Sequence, residues 1–424
     1  MSRWQWLWRQ FTRRLWFRAS LIGALGVVAA VLAAVIERYI PWQLPGKIGA
    51  DAVEGILDII ASSMLAVTTF SLSVMTSAYG SATSNVTPRA TKLLMEDRVT
   101  QNVLSTFIGS FLFGIVGIVV LKIGAYGDRG RVILFLVTIG VIILIVVTLL
   151  RWIDHLTRLG RVGETTNRVE AAALAALESR IEEPYLGGLR LEEAMRARAA
   201  KGWAVTADSI GYVQHIDMGA LAGLADEIGS DIVLAAIPGA FIFPNSPLAF
   251  LEQPPEDEAA NDITETIRRA YSIAAERNFD QDPRFGLAVM SEIGSRALSA
   301  AFNDSGTAID VIGRMTRLLS IWAERPEPAP DAMRHKRLHV PALESDDLLE
   351  DAFMLMARDG AALVEVQLRI QKALYALGAL GDAAFRAAAR RQAEMAFSRA
   401  EAALTLDADR QRLRDMQTAW QADA

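Results

Sequence analysis

Between Ile59 and Pro88 the chain carries twelve serine and threonine hydroxyls and no charged side chain. Hydroxyls at this density in an apolar run suit two kinds of work. They can bond back to their own helix and let small-residue faces pack closely, or they can line a path where they replace part of an ion's hydration shell. Stepping by fours and threes from Asp51 collects Gly55, Asp58, Ser62, Ala66, Thr69, Ser73, Thr76, Gly80, Thr83 and Thr87 on one helical stripe. Leu57, Leu65, Val67, Leu72, Met75 and Tyr79 fall on the other face. As a pore wall, the stripe would have Asp51, Glu54 and Asp58 at an outer mouth favouring cations, and Arg89 and Lys92 at an inner mouth favouring anions.

Catalytic chemistry has little to draw on. The four histidines stand at positions 155, 215, 335 and 339, and there is no cysteine, phosphate loop, zincin helix or nucleophile elbow. His335 and His339 have the helical spacing of a metal pair. Arg334, Lys336 and Arg337 would repel a cation there, however, and Val340-Pro341 reads as extended chain, so neither a metal nor a cofactor is expected. His215 beside Asp217 reads as a hydrogen-bonded residue at a strand end. With no nucleophile, base or metal set, an enzyme is not expected. Two polar interruptions of helix remain, Gln281-Asp282 and Asn303-Asp304 with Thr307. They read as caps, with a ligand or ion site at the adjoining helix ends as the functional alternative.

The elements that must position these residues begin with composition. The 424 residues are 52% hydrophobic, with a mean hydropathy of +0.25. The excess lies in the first 153 residues, which describes a membrane domain followed by a large soluble part. The net charge of −6 and the lack of a basic stripe argue against nucleic acid. Absent cysteines exclude disulfides.

Residues 1–18 hold five arginines among Trp4, Trp6, Trp8, Phe11, Trp16 and Phe17, with positions 4, 8, 11 and 15 on one face. That composition predicts an interfacial amphipathic helix. A four-helix transmembrane domain follows over 19–153, with spans at about 19–38, 56–85, 99–122 and 132–153. Tyr39, Pro41, Trp42 and Pro45 form an interfacial loop, and Thr87-Pro88-Arg89 ends the striped helix. Gly109, Gly114 and Gly117 give the third span a smooth packing face, and the fourth span faces lipid. Arginines and lysines near 3–18, 89–98 and 151–161 outnumber Lys122, Arg129 and Arg131, which places both termini in the cytoplasm.

Beyond the spans, 154–200 reads as a helical connector broken at 183–188, and 201–252 as a small β-containing module. In that module 211–216 and 232–237 are strands, 218–228 is a short helix, and 238–248 is a turn, a strand and another turn. Residues 253–424 read as a helical domain, helical over 263–319 apart from the break at 303–306 and again over 348–416. Asp304 or Ser305 is the cap at the first restart, and Ser345 or Asp346 at the second. The fold class is mainly α: four transmembrane helices followed by a cytoplasmic α+β region and a helical C-terminal part.

The chain resembles the bacterial family called Domain of Unknown Function 2254, a group of predicted membrane proteins. Two blocks carry the resemblance. One is Thr69-Phe70-Ser71 leading to Thr87-Pro88-Arg89, then Asp97-Arg98-Val99-Thr100-Gln101, Phe107, Gly109 and Phe111. The other is Gln281-Asp282-Pro283, Phe285-Gly286-Leu287, Ser295 to Ser299 and Asn303-Asp304 with Thr307-Ala308. Tyr212-Val213-Gln214 and the stretch from Pro238-Gly239 to Pro247-Leu248 also fit. Ser305 stands where a proline is expected, and Asn85-Val86-Thr87 replaces a commoner Gln-Phe-Ser. The resemblance implies a multi-pass protein of the bacterial inner membrane and assigns no activity.

Two functions compete at this point. In the first, the chain is a homo-oligomeric channel in the lipid bilayer, with the striped helices around an ion path. In the second, it is a membrane-anchored sensor or scaffold whose cytoplasmic region binds a ligand or partner over 281–310.

Overall fold

The structure is a computed structural model that describes residues 2–12, 15–36, 49–328 and 333–423. The chain forms two compact units, one of residues 7–165 and the other of 1–6 with 166–424.

The helical unit holds most of α1 (Arg3–Thr12), then α2 (Leu15–Ile36), α3 (Ala50–Asn85), α4 (Pro88–Met95), α5 (Arg98–Lys122) and α6 (Asp128–Leu156). α3, α5 and α6 are each long and apolar enough to cross a membrane, and α1 with α2 supplies a fourth span if that bent pair counts as one. Because α5 packs against both α2 and α3, its glycines serve two neighbours. A Cβ on Gly26 would lie 2.5 Å from the Gly109 carbonyl oxygen, and one on Gly114 would lie 3.0 Å from that of Leu57. Only hydrogen fits at such crossings. α6 exposes Leu136, Ile143, Leu144 and Leu150, an apolar face suited to lipid.

α3 starts at Ala50, ahead of the span read over 56–85, because Asp51, Glu54 and Asp58 fall away from the face that buries Val53 and Leu57. The break at Thr87-Pro88 also starts a new helix, α4, with Thr87 as N-cap and Pro88 in its first turn. The 39–45 loop lies outside the described residues.

The α+β unit opens with α7 (Val162–Glu182), a 3-10 turn (Pro184–Gly187), β1 (Gly188–Arg190), α8 (Glu193–Ala199), β2 (Trp203–Thr206) and β3 (Gly211–Ile216). It continues through α9 (Met218–Glu227), β4 (Ile232–Leu234), β5 (Phe241–Ile242), β6 (Pro247–Leu251), α10 (Asp257–Ala270) and β7 (Tyr271–Ala274). α11 (Pro283–Ala297), α12 (Ser305–Ala323), β8 (His335–Val340), α13 (Ser345–Asp359), α14 (Val364–Gly378), α15 (Ala383–Ala403) and α16 (Asp407–Asp423) complete it.

One sheet runs β1-β8-β4-β6-β2, and the other runs β5-β3-β7. β8 lies parallel to both β1 and β4, so the sheet takes strands from outside 201–252. β7 likewise interrupts the helix expected to run from 263, and His335 and His339 lie on a strand as the extended reading requires. Val205, Ile216, Leu221, Ile232, Leu248 and Leu338 fill the shared core. At α13 the N-cap is Glu344, with no side-chain hydrogen bond. Ser345 is buried inside the first turn, and Asp346 pairs with Arg391, so neither residue caps.

The N-terminus departs from a purely interfacial helix. Trp4 and Trp8 are exposed, but Trp6 is buried: its indole stacks on the His215 ring at 5.1 Å and donates to Asp280 at 3.0 Å. The Arg3 backbone N–H donates to Asp217 at 2.6 Å. His215 is wholly buried one residue before the end of β3.

Candidate functional site

α3 separates two chemistries by helical period. Val53, Leu57, Ile60, Met64, Thr68, Ser71 and Met75 are buried, so this face supplies the packing inside the subunit. The opposite stripe is exposed at Asp51, Gly55, Asp58, Ser62, Ala66, Thr69, Ser73, Thr76 and Gly80. A Cβ on Gly55 or Gly80 would meet nothing within 4 Å. Large apolar side chains flank it, with Ile59, Leu65, Phe70 and Leu72 exposed. A 36-residue helix spans about 54 Å at ~1.5 Å per residue, well beyond a ~30 Å hydrocarbon core.

The stripe hydroxyls bond back four residues. Ser62 donates to the Asp58 carbonyl at 2.8 Å, Thr69 to Leu65 at 3.0 Å, Ser73 to Thr69 at 3.2 Å and Thr76 to Leu72 at 2.9 Å. Each hydroxyl therefore commits its hydrogen to its own helix and keeps oxygen lone pairs for whatever faces it.

The two ends behave differently. Glu54 forms an ion pair with Lys122 at 2.9 Å, while Asp51 and Asp58 stay exposed. Thr83 is half-buried and shares a 2.9 Å hydrogen bond with Thr91 of α4. Thr87 leaves the stripe altogether. It is buried and caps α4, because Pro88 forces the chain to turn there. Arg89 and Lys92 are exposed on α4.

A buried polar link behind α3 escaped sequence reading. Trp152 on α6 donates its indole N–H to Ser71 at 2.9 Å and stacks on His155 at 5.7 Å. His155 reaches Asp97 at 2.9 Å and Thr100 at 3.1 Å, and Asp97 also caps α5 by accepting from the Thr100 N–H. The local signals are Asp97 three residues before Thr100 and Trp152 three before His155. Only tertiary packing joins them.

In the α+β unit the two polar interruptions are not one site. Asp282 precedes α11 and Asp304 follows it, and the 15 residues of α11 put about 22 Å between its ends. Asp304 caps α12, accepting from the Thr307 N–H at 3.0 Å and from its hydroxyl at 2.6 Å, which holds its carboxyl below the usual range. Asn303 takes a left-handed backbone, φ 46°, at the turn before it.

Asp282 is 2% exposed, caps α11 through the Phe285 N–H, and is held by Arg277 in a two-point pair at 2.7 and 2.9 Å. Burial pushes its carboxyl up, and Arg277 pulls it back down. Gly239, at φ 95°, must be glycine, since a Cβ there would stand 2.6 Å from the carboxylate. Gln281 accepts from the Ile216 N–H at 3.1 Å, and its carbonyl accepts from Arg180 at 3.0 Å. This network ties α7, β3 and α11 together as structure. Among the described residues no three His, Asp or Glu side chains converge on a possible metal position.

The family model described as a predicted membrane protein, DUF2254, matches residues 12–376. Uncharacterized proteins of Mycobacterium tuberculosis and Mycobacterium bovis are 25% identical over 318 residues, 74% of this chain and 59% of theirs. The chain thus spans less than two thirds of those relatives. No solved structure matches it. With that one model covering 12–376, a range that takes in both α3 and Asp282, the chain belongs to the DUF2254 family of predicted membrane proteins.

Proposed function

We propose that this protein is a homo-oligomeric conduit for ions, in which α3 from each copy faces a shared axis and its hydroxyl stripe forms the wall. One observation carries the reading. The subunit packs through the other face of α3 and leaves Asp58, Ser62, Thr69, Ser73 and Thr76 exposed along a helix long enough to cross the bilayer. Polar groups directed at hydrocarbon are unfavourable, so this stripe needs either water or a second copy against it.

The back-bonded hydroxyls present acceptor lone pairs, and Asp51 and Asp58 add negative charge at one end, so the permeant ion is a cation. With both termini in the cytoplasm, those carboxylates mark the outer entrance.

The test is ion flux and single-channel recording from purified protein in liposomes, once its oligomer mass is known. Replacing Thr69 and Thr76 together with leucine should cut cation conductance severalfold while the oligomer mass stays the same. Dissociation of the oligomer in that variant would instead make the stripe a packing surface. Silence of the intact wild-type oligomer at both polarities would remove the conduit.

A further inference from the structure

The α+β unit holds a half-open cavity of about 520 Å³ where α7, the 3-10 turn, β1, the end of α12 and the turn before α15 meet. Three guanidinium groups line it, and they differ in how far their charge is already satisfied. Arg325 lies over the Trp322 ring at 4.5 Å and reaches Asp382 at 3.3 Å. Arg180 is 6% exposed and, among the described residues, makes one hydrogen bond, to the Gln281 carbonyl. Burial lowers its pKa to about 10, with Asp282 partly opposing that fall. Arg190 is exposed and has no ion-pair or hydrogen-bond partner among the described residues. Of the two carboxylates in the lining, Asp382 already caps α15 and receives Arg325, which leaves Glu327.

A further observation points to a built site. Tyr185, Leu186 and Gly187 are three successive residues in the left-handed region, at φ 52°, 58° and 82°, and Tyr185 thereby takes its place in the lining. Such strain collects where a site must hold a fixed shape.

We propose that this cavity binds a small organic anion, a carboxylate or phosphate ester on a planar ring, with its charge toward Arg190 and Arg180 and its ring against Tyr185 and Trp322. The volume suits a molecule of that size, and guanidinium groups beside Ile181, Tyr185 and Leu343 offer it both charge and apolar contact. Arg190 supplies charge that has no partner among the described residues. The proposal stands apart from the conduit and does not depend on it.

The experiment is calorimetric titration of the full-length protein in detergent with AMP and benzoate, against adenosine and benzamide as neutral counterparts and inorganic phosphate as charge alone. At least one organic anion should bind saturably, and its neutral counterpart and phosphate should bind at least about tenfold more weakly, the equivalent of one charge-assisted hydrogen bond. Arg190→Gln should weaken that binding about tenfold at an unchanged unfolding temperature, since its side chain holds nothing in place. Equal binding of the neutral counterpart, equal binding by Arg190→Gln, or no saturable heat from any anion up to about 10 mM overturns the proposal.

Discussion

Asp282 shows how a single buried carboxylate organises its surroundings. Its two-point bond to Arg277 is mostly removed from water, so deleting one partner strands the other's charge. Arg277→Ala should destabilise the α+β unit by about 3–5 kcal/mol, seen as lost hydrogen-exchange protection in α11. Adding Asp282→Asn should recover part of that loss, because no charge is then left unpaired. Asp304 is the exposed counterpart. Its carboxyl is held below the ordinary range by Thr307, so its contribution is present above about pH 4, the unfolded value, and fades as pH falls through the lower folded value. Asp304→Ala should cost about 1 kcal/mol at neutral pH and progressively less in acid, whereas Asp304→Asn should keep the cap and lose the pH dependence. Both residues were visible in the sequence as breaks in helical pattern. Thr307 was legible beside Asp304, but Arg277 was not legible as the partner of Asp282, because it looks like an ordinary surface cation until burial is known.

At the level of elements, the long helices were legible because apolar runs of that length have one structural outcome, and the glycines of the third span correctly marked a packing face. What pattern could not supply was that Gly109 meets α2 while Gly114 meets α3. The short strands β1 and β7 were missed, and β8 was read only as extended chain, for a different reason. Three to six residues carry too little periodicity to outvote helical neighbours, and β8 is recruited across more than a hundred residues to lie between β1 and β4. The α2–α5 crossing yields a prediction that belongs to this scale. Gly26→Ala puts a methyl 2.5 Å from a backbone oxygen and should separate the helices, destabilising the unit by roughly 1–3 kcal/mol. Gly80→Ala meets nothing inside the subunit and should leave monomer stability within about 0.5 kcal/mol or raise it slightly through helix propensity. Thermal unfolding of the two variants in detergent compares them directly.

At the scale of the whole molecule, the candidate conduit and the cavity differ in how they are written. The stripe is local, repeating along one helix at a period any reader of the sequence can step through, and the structure adds that its far face is already taken. The cavity draws on segments from Arg180 to Asp382, none of which announces the others, so nothing short of the fold could gather them. The chain has no cysteine, which makes an introduced thiol unique and lets the stripe be probed position by position. If α3 lines water in the assembled protein, cysteines at Thr69, Ser73 and Thr76 will react with a charged thiosulfonate reagent and the modification will reduce current. A cysteine at Phe70, exposed on the subunit but flanking the stripe, will face hydrocarbon, where the thiolate does not form and a charged reagent does not reach. Met75→Cys, buried against the other helices, will be silent as well. Should the stripes instead pack against one another, Ser73→Cys will form disulfides between copies under mild oxidation, because closely packed helices bring paired Cα atoms within the roughly 4.4–6.8 Å a disulfide requires, and aqueous reagent will not react. A period of three and four in reagent accessibility along α3, with current block at the same positions, is the result a conduit requires.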